Sequence, residues 1–155
     1  MDTQNVYEAA AENFSISILQ ERKLLEMIIH AATDEAAATR FYTRLSERLT
    51  GEDRKTVHNI ALDEAKHRRL FEDLYFRIAH RQMPAIETDK EEPLPENLPD
   101  IFEDRIYDEN ADIEFYRNIY FTLINMDYRD VMFEIMSDES RHASLLNLLY
   151  AKYKR

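Results

Sequence analysis

The sequence predicts an all-α fold, a four-helix bundle made of two helical hairpins with a long crossover between helices 2 and 3. Glycine occurs once and proline four times in 155 residues. A chain so poor in helix breakers and so rich in Ala, Leu, Glu and Arg favours helix nearly throughout. Apolar residues recur in alternating steps of three and four, as on the buried side of a packed helix. Charged motifs of the first half recur in the second half, which indicates two equivalent hairpins.

The first hairpin consists of two predicted helices, at about residues 17–49 and 53–82. A short turn with Gly51 separates them, because glycine readily adopts the left-handed backbone that ends a helix. The inward stripe of the first helix comprises Leu24, Ile28, Ala31, Glu35, Ala38, Tyr42, Leu45 and Leu49. The stripe of the second helix comprises Val57, Ile60, Glu64, His67, Phe71, Leu74 and Ile78.

The second hairpin is predicted at about residues 99–124 and 128–153. Pro99 suits the first turn of helix three, and Asp127 is the expected cap of helix four. The inward stripe of helix three comprises Phe102, Ile106, Glu109, Ile113, Tyr116, Tyr120 and Leu123. That of helix four comprises Tyr128, Met132, Ile135, Glu139, His142, Leu146 and Leu149.

The crossover, residues 83–98, is rich in Pro, Glu and Asp. When extended it could reach roughly 50 Å, whereas a helix of about 27 residues is roughly 40 Å long. The crossover can therefore run the length of the bundle. The alternative, a linker between two domains, is disfavoured because one helical hairpin cannot bury its own apolar stripe. We expect a single domain over residues 1–155.

Composition excludes several classes of function. A formal net charge of −11 argues against sequence-independent binding of nucleic acid. No apolar run is long enough to span a membrane, and Met1–Ala11 lacks the pattern of a secretion signal. Cysteine is absent, so disulfides, thiolate chemistry and cysteine-ligated metals are not available to this sequence. A cytoplasmic protein is expected.

The repeated motif has the form Asp-Glu-x-basic-His. It occurs at Asp63–His67 and again at Asp138–His142, 75 positions later. Each copy follows another acidic pair, Asp34-Glu35 in the first half and Asp108-Glu109 in the second. The two hairpins thus supply the same groups at matching depth, midway along their helices: Glu35, Glu64, His67, Glu109, Glu139 and His142.

All six of these residues fall on the inward stripes, between apolar neighbours. A buried ionised carboxylate without a partner costs several kcal/mol, and four together repel one another. Two divalent cations would balance the four negative charges. The Glu-x-x-His spacing puts both side chains on one face of a helix, so each pair can serve one ion. The sequence therefore predicts a site for two transition-metal ions, and a metal-free carboxyl–imidazole network is the alternative.

Four further residues are expected to support the site. Asp63 and Asp138 lie four residues before the two histidines. They can hydrogen-bond the ring nitrogen that does not face the metal, within the helix or across the bundle. Tyr42 and Tyr116 follow Glu35 and Glu109 by seven residues on the same stripes, where each fills the core with a hydrogen-bonded hydroxyl or supplies protons or electrons.

This pattern resembles the ferritin-like superfamily of dinuclear carboxylate proteins over Ser17–Tyr153. The segments DEAAATRFY from Asp34 and DEAKH from Asp63 are most similar to the rubrerythrin branch. The resemblance implies two iron ions per chain, although ligand types alone also admit manganese or zinc. It further implies terminal ligands Glu35 and Glu109, bridging ligands Glu64 and Glu139, and nitrogen ligands His67 and His142.

The resemblance implies an oxidoreductase that reduces peroxide or dioxygen. Because the sequence lacks the four-cysteine, rubredoxin-like iron centre, its electrons are expected from an external donor protein. Asp112 stands where rubrerythrins carry an additional Glu, and whether its shorter side chain reaches a metal stays open. A homodimer is expected. A ferroxidase or iron-storage protein, a dimanganese catalase-like protein and a non-catalytic metal-binding bundle remain as alternatives.

Overall fold

A computed structural model of the chain describes residues 3–86 and 93–154, with side chains from Ser17 onward. Its four helices are α1 (Thr3–Glu47), α2 (Gly51–Ala79), α3 (Leu98–Thr122) and α4 (Met126–Tyr153). The described residues contain no β-strand, so the predicted all-α class is confirmed. Within this described part, no helix combines the length and apolar character needed to cross a membrane.

The helix ends differ from the predicted ones. Helix α1 begins at Thr3 instead of residue 17, because residues 3–16 contain no Gly or Pro to interrupt it and include three consecutive alanines. It ends at Glu47 instead of residue 49. Helix α2 ends at Ala79 instead of residue 82, where His80 takes a left-handed backbone (φ 53°) and its N–H bonds the Phe76 carbonyl.

Gly51 has the expected left-handed backbone, with φ of 58°. It is, however, the first residue of α2 and not the residue that ends α1. The last turn of α1 is instead closed by short-range bonds, from Arg48 N–H to the Leu45 carbonyl and from Leu49 N–H to the Ser46 carbonyl. Such tightening satisfies carbonyls that a regular helix end leaves open.

The turn between α3 and α4 corrects another prediction. Asn125, and not Asp127, caps α4: its side-chain oxygen accepts from the N–H of Asp127 at 2.8 Å and of Tyr128 at 3.4 Å. Asp127 lies in the first turn, where its charge favours the helix dipole. Both residue types are good caps, and the backbone of Asn125 is the extended one.

The helices pair as predicted, most extensively α1 with α2 and α3 with α4. The described parts of the crossover lie at opposite ends of the bundle. Met83 and Ile86 pack at the end where α2 stops, whereas Leu94 packs at the end where α1 stops. There, the Arg48 guanidinium also donates to the Glu96 carbonyl at 2.6 Å. The ferritin-like order of two hairpins joined by a long crossover is therefore confirmed.

The interior has two apolar cores, one toward each end of the bundle. The first core, on the Gly51 side, is formed by Tyr42, Leu45, Leu49, Val57, Ile60, Ala61, Ile101, Phe102, Leu146 and Leu149. The second core is formed by Leu24, Ile28, Ala31, Ala32, Phe71, Leu74, Tyr75, Tyr116, Ile119, Leu123, Met132 and Ile135. Along each helix, the buried glutamates and histidines lie between the stretches that form these two cores.

The assignment of the α4 cap can be tested by unfolding in urea. We expect Asn125→Ala to lower the free energy of unfolding by about 1 kcal/mol, because two N–H groups lose their acceptor. Asp127→Asn removes only a favourable charge and should cost about 0.5 kcal/mol or less. A larger loss in Asp127→Asn than in Asn125→Ala would contradict the assignment.

Candidate metal centre

The structure buries all six residues of the repeated acidic pattern. Each is at most 3 % exposed: Glu35, Glu64, His67, Glu109, Glu139 and His142. Each occupies the inward stripe of its helix, one or two turns from the nearest core residues. The Glu and His of each Glu-x-x-His motif lie one turn apart on the same face. Each hairpin contributes two glutamates and one histidine.

The six side chains form two overlapping groups. In each group, one ligand-type atom per residue lies within 4.8 Å of all the others. The first group comprises Glu35, Glu64, His67 and Glu139, and the second comprises Glu64, Glu109, Glu139 and His142. Glu64 and Glu139 belong to both groups, so the geometry is that of two adjacent sites with two shared carboxylates.

Each histidine ring points one nitrogen into the cluster and the other out of it. His67 Nδ1 lies 2.9 Å from Glu139 Oε1 and 3.2 Å from Glu64 Oε2. His142 Nδ1 lies 2.9 Å from Glu139 Oε2 and 3.4 Å from Glu64 Oε1. The ring centroids are 5.8 Å apart. The Nδ1 atoms are therefore the nitrogens available to a metal ion.

The outward nitrogens meet the two aspartates across the bundle. His67 Nε2 lies 3.2 Å from Asp138 Oδ2, and His142 Nε2 lies 3.2 Å from Asp63 Oδ2. Of the two arrangements that the sequence left open, the structure shows the one between hairpins. An aspartate on Nε2 keeps a proton on that nitrogen and leaves the Nδ1 lone pair for coordination.

The two tyrosines also bond across the hairpins. The Tyr116 hydroxyl donates to Glu35 Oε1 at 2.6 Å, and the Tyr42 hydroxyl donates to Glu109 Oε1. Glu35 belongs to the first ligand group alone and Glu109 to the second alone. Each tyrosine therefore holds an unshared carboxylate. Both rings belong to the apolar cores described above.

A model of the rubrerythrin family matches residues 26–150 of the chain. The chain belongs to the rubrerythrin family. The match includes both acidic pairs and both Glu-x-x-His motifs, so the repeat noted in the sequence lies wholly inside the family region. No curated protein is similar enough to the chain to match it.

Two observations indicate that the buried carboxylates and imidazoles of this rubrerythrin-family chain suit metal ions. Glu139 Oε1 is buried without an assigned hydrogen-bond partner, and the nearest cationic group is His67 Nδ1 at 2.9 Å. A buried carboxylate oxygen in this state is costly unless a cation supplies the missing interaction. Carboxylate oxygens with one imidazole per site are also ligands that suit iron, manganese and zinc.

The pKa values describe how protons compensate the buried charge in the metal-free protein. Burial lowers the pKa of His67, but contacts with Glu139 and Glu64 outweigh it and raise the pKa to about 10. Burial lowers the pKa of His142 as well, but contacts with the surrounding carboxylates again outweigh burial and raise the pKa. Burial, followed by the charge of Glu64, raises the pKa of Glu35 well above its usual range. Metal binding must displace these protons.

Asp112 lies outside both groups and lines a cavity of about 350 Å³ between α1 and α3. The cavity is lined by pairs that the repeat makes equivalent, among them Asp34 with Asp108, Ala37 with Ala111, and Ala38 with Asp112. Burial, followed by the charges of Glu139 and Glu109, raises the pKa of Asp112 to about 8. Ala38 has no such group, so Asp112 breaks the symmetry of the cavity.

Two cations, Lys66 and Arg141, lie on the outer side of the histidines, and the sequence alone did not predict a role for them. Arg141 contacts Asp63 at 3.0 Å and Asp138 at 2.7 Å, and Lys66 lies 3.6 Å from Asp138. The sequence feature that could have identified them is the repeated Asp-Glu-x-basic-His motif, because both residues occupy its basic position.

We expect the metal-free protein to lose stability as the pH rises. The raised pKa of His67 contributes stability that is full below its ordinary value of 6.5 and is lost as the pH rises through about 10. The raised pKa values of Glu35 and Asp112 act in the same direction, because the folded state keeps protons that the unfolded chain releases.

Thermal unfolding of the metal-free protein between about pH 5 and pH 9 would measure this dependence. The expected fall in Tm is more than about 4 °C, and bound metal should reduce it because cations replace the protons. A Tm that rises over this interval would contradict the proposed compensation.

Proposed function

We propose that this protein is a di-iron oxidoreductase that reduces peroxide, or dioxygen, with electrons from a separate donor protein. The observation that carries the proposal is the pair of overlapping ligand groups that share Glu64 and Glu139. Membership of the rubrerythrin family supports iron as the metal. The sequence has no cysteine that could ligate a second iron centre and pass electrons to the first. The proposal therefore includes a separate protein as electron donor.

The two groups would hold one ion each. Glu35 and His67 would complete the first site and Glu109 and His142 the second, with the shared carboxylates between them. Four carboxylates balance two divalent cations when both histidines are neutral. When bound, two ferrous ions supply a pair of electrons for cleavage of an oxygen–oxygen bond.

The chain's own residues hold this ligand set in place. Asp138 and Asp63 orient the imidazoles through Nε2, while Tyr116 orients the Glu35 carboxylate through its hydroxyl. The first and second cores exclude water on both sides of the ligands, which strengthens electrostatic interactions among them. Such support fixes ligand geometry before a metal arrives.

The cavity between α1 and α3 offers a polar approach for a substrate. Its volume is about 350 Å³ and three aspartates line it, Asp34, Asp108 and Asp112, so a small polar molecule can enter together with water. Reduction of hydrogen peroxide to two waters consumes two protons with the two electrons. The carboxyl group of Asp112 faces this cavity and can hold a proton near neutral pH, because its pKa is raised to about 8.

The acidity of the chain favours a second candidate function, the oxidation and storage of ferrous iron. The formal net charge is −11, and Asp34 and Asp108 line the cavity. A negative potential of this kind attracts cations. In this alternative, the cavity would admit Fe(II) and dioxygen would be the oxidant.

Metal analysis and stopped-flow mixing distinguish the candidates. We expect two irons per chain and faster oxidation of the ferrous protein by hydrogen peroxide than by dioxygen. Faster oxidation by dioxygen with uptake of many irons per chain would favour storage instead. Two manganese ions with disproportionation of peroxide would favour a catalase-like protein. A chain that binds metal without turnover by either oxidant would be a non-catalytic bundle.

The shared ligands give a sharper test. Glu64→Ala removes a carboxylate from both groups, so we expect iron content to fall below one ion per chain and oxidant-dependent absorption to be lost. Glu72→Gln is the control, since Glu72 lies on the same helix outside both ligand groups and pairs at the surface with Arg68, at 2.9 Å. Full iron content in Glu64→Ala would contradict the shared site.

A further inference from the structure

The outer side of the centre, where α2 and α4 meet, carries a chain of polar contacts. Asp63 is 27 % exposed and Asp138 is 19 % exposed, and each accepts from the outward nitrogen of a histidine on the other hairpin. The two histidines are fully buried. These aspartates are therefore the groups through which the surface of the protein contacts the ligand rings.

Arg141 contacts both aspartates with one nitrogen. Its Nη2 donates to Asp63 Oδ2 at 3.0 Å and to Asp138 Oδ1 at 2.7 Å. Two carboxylates that share a donor in this way are close enough to repel each other when it is removed. A continuous path of contacts thus runs from His67 through Asp138, Arg141 and Asp63 to His142.

We propose that Arg141 is a positioning residue that holds both aspartates, and through them both histidine rings, so that it couples the two metal positions. This inference rests on the proposed binding of metal by His67 and His142. Its basis is geometric: one half-exposed side chain, 52 % exposed, contacts the partners of both rings. Loss of a group that hydrogen-bonds directly to a metal ligand typically weakens metal affinity about 10- to 100-fold, and Arg141 holds two such groups, Asp63 and Asp138.

Lys66 provides the matched control. It occupies the same position of the repeated motif, 75 residues earlier, and is exposed to a similar degree, 46 %. It contacts Asp138 at 3.6 Å and also pairs with Glu134, but no contact to Asp63 is among its ion pairs. The repeat therefore has two basic residues in equivalent positions, of which only Arg141 serves both histidine–aspartate pairs.

The experiment measures Co(II) binding to metal-free protein by visible absorption, with Arg141→Gln, Arg141→Met, Arg141→Lys and Lys66→Gln beside the natural sequence. We expect Arg141→Gln and Arg141→Met to weaken binding of both ions about tenfold or more. Arg141→Lys should restore most of the affinity, because an ammonium group retains the charge and donors. Lys66→Gln should change affinity less than about threefold.

A second readout does not depend on metal. NMR of the metal-free protein follows the Nε2–H protons of His67 and His142, which bonds to the aspartates protect from exchange with solvent. We expect both protons to exchange faster in Arg141→Gln, with little change in Tm because the side chain is half exposed. If Arg141 only stabilised the fold, its replacement would lower Tm without a specific increase in the exchange rate of these two protons.

The outcomes separate this inference from the proposed function. A natural protein that binds no metal would end the proposed function, and with it the metal-coupling role of Arg141, even if the NMR result were positive. Two bound Co(II) ions with unchanged affinity in Arg141→Gln would overturn the inference alone. So would an effect on one ring or one ion only, or loss of the fold in both Arg141→Gln and Arg141→Met.

Discussion

The structure depends on one electrostatic constraint: four carboxylates lie together in the middle of a helical bundle. Burial and mutual repulsion make such a cluster costly unless positive charge enters it. In the metal-free protein the raised pKa of His67 and of Glu35 shows protons in that role. Two apolar cores, one on each side, fix the helices so that the carboxylates cannot turn outward. A metal ion held among the carboxylates would supply the same compensation.

The polar centre also joins the two halves of the molecule. Backbones approach each other closely within each hairpin, whereas the two hairpins meet mainly through side chains of the two cores. Hydrogen bonds of the centre add to this boundary, as between Tyr116 and Glu35 or between His67 and Asp138. Ligand orientation and hairpin association are therefore two results of the same contacts.

The sequence predicted the parts of the fold that periodic patterns determine. The inward position of Glu35, Glu64 and their equivalents follows from helical spacing, and all six groups are buried. Helix ends were predicted less well, because Asn125 and Asp127 are both good caps and only the backbone decides between them. The contact between His67 and Asp138 depends on how the hairpins pack, which no local pattern encodes. Arg141 was overlooked for the same reason: its two partners lie on different helices.

The crossover has an evolutionary implication. It is the single covalent link between two hairpins, each of which contributes two glutamates and one histidine to the ligand groups. Neither ligand group is complete without a carboxylate from the other half, so a lone hairpin could not assemble either group. An ancestor with one hairpin would have needed to dimerise to complete them. Fusion of two such copies would then have turned an assembly that depended on concentration into a permanent one.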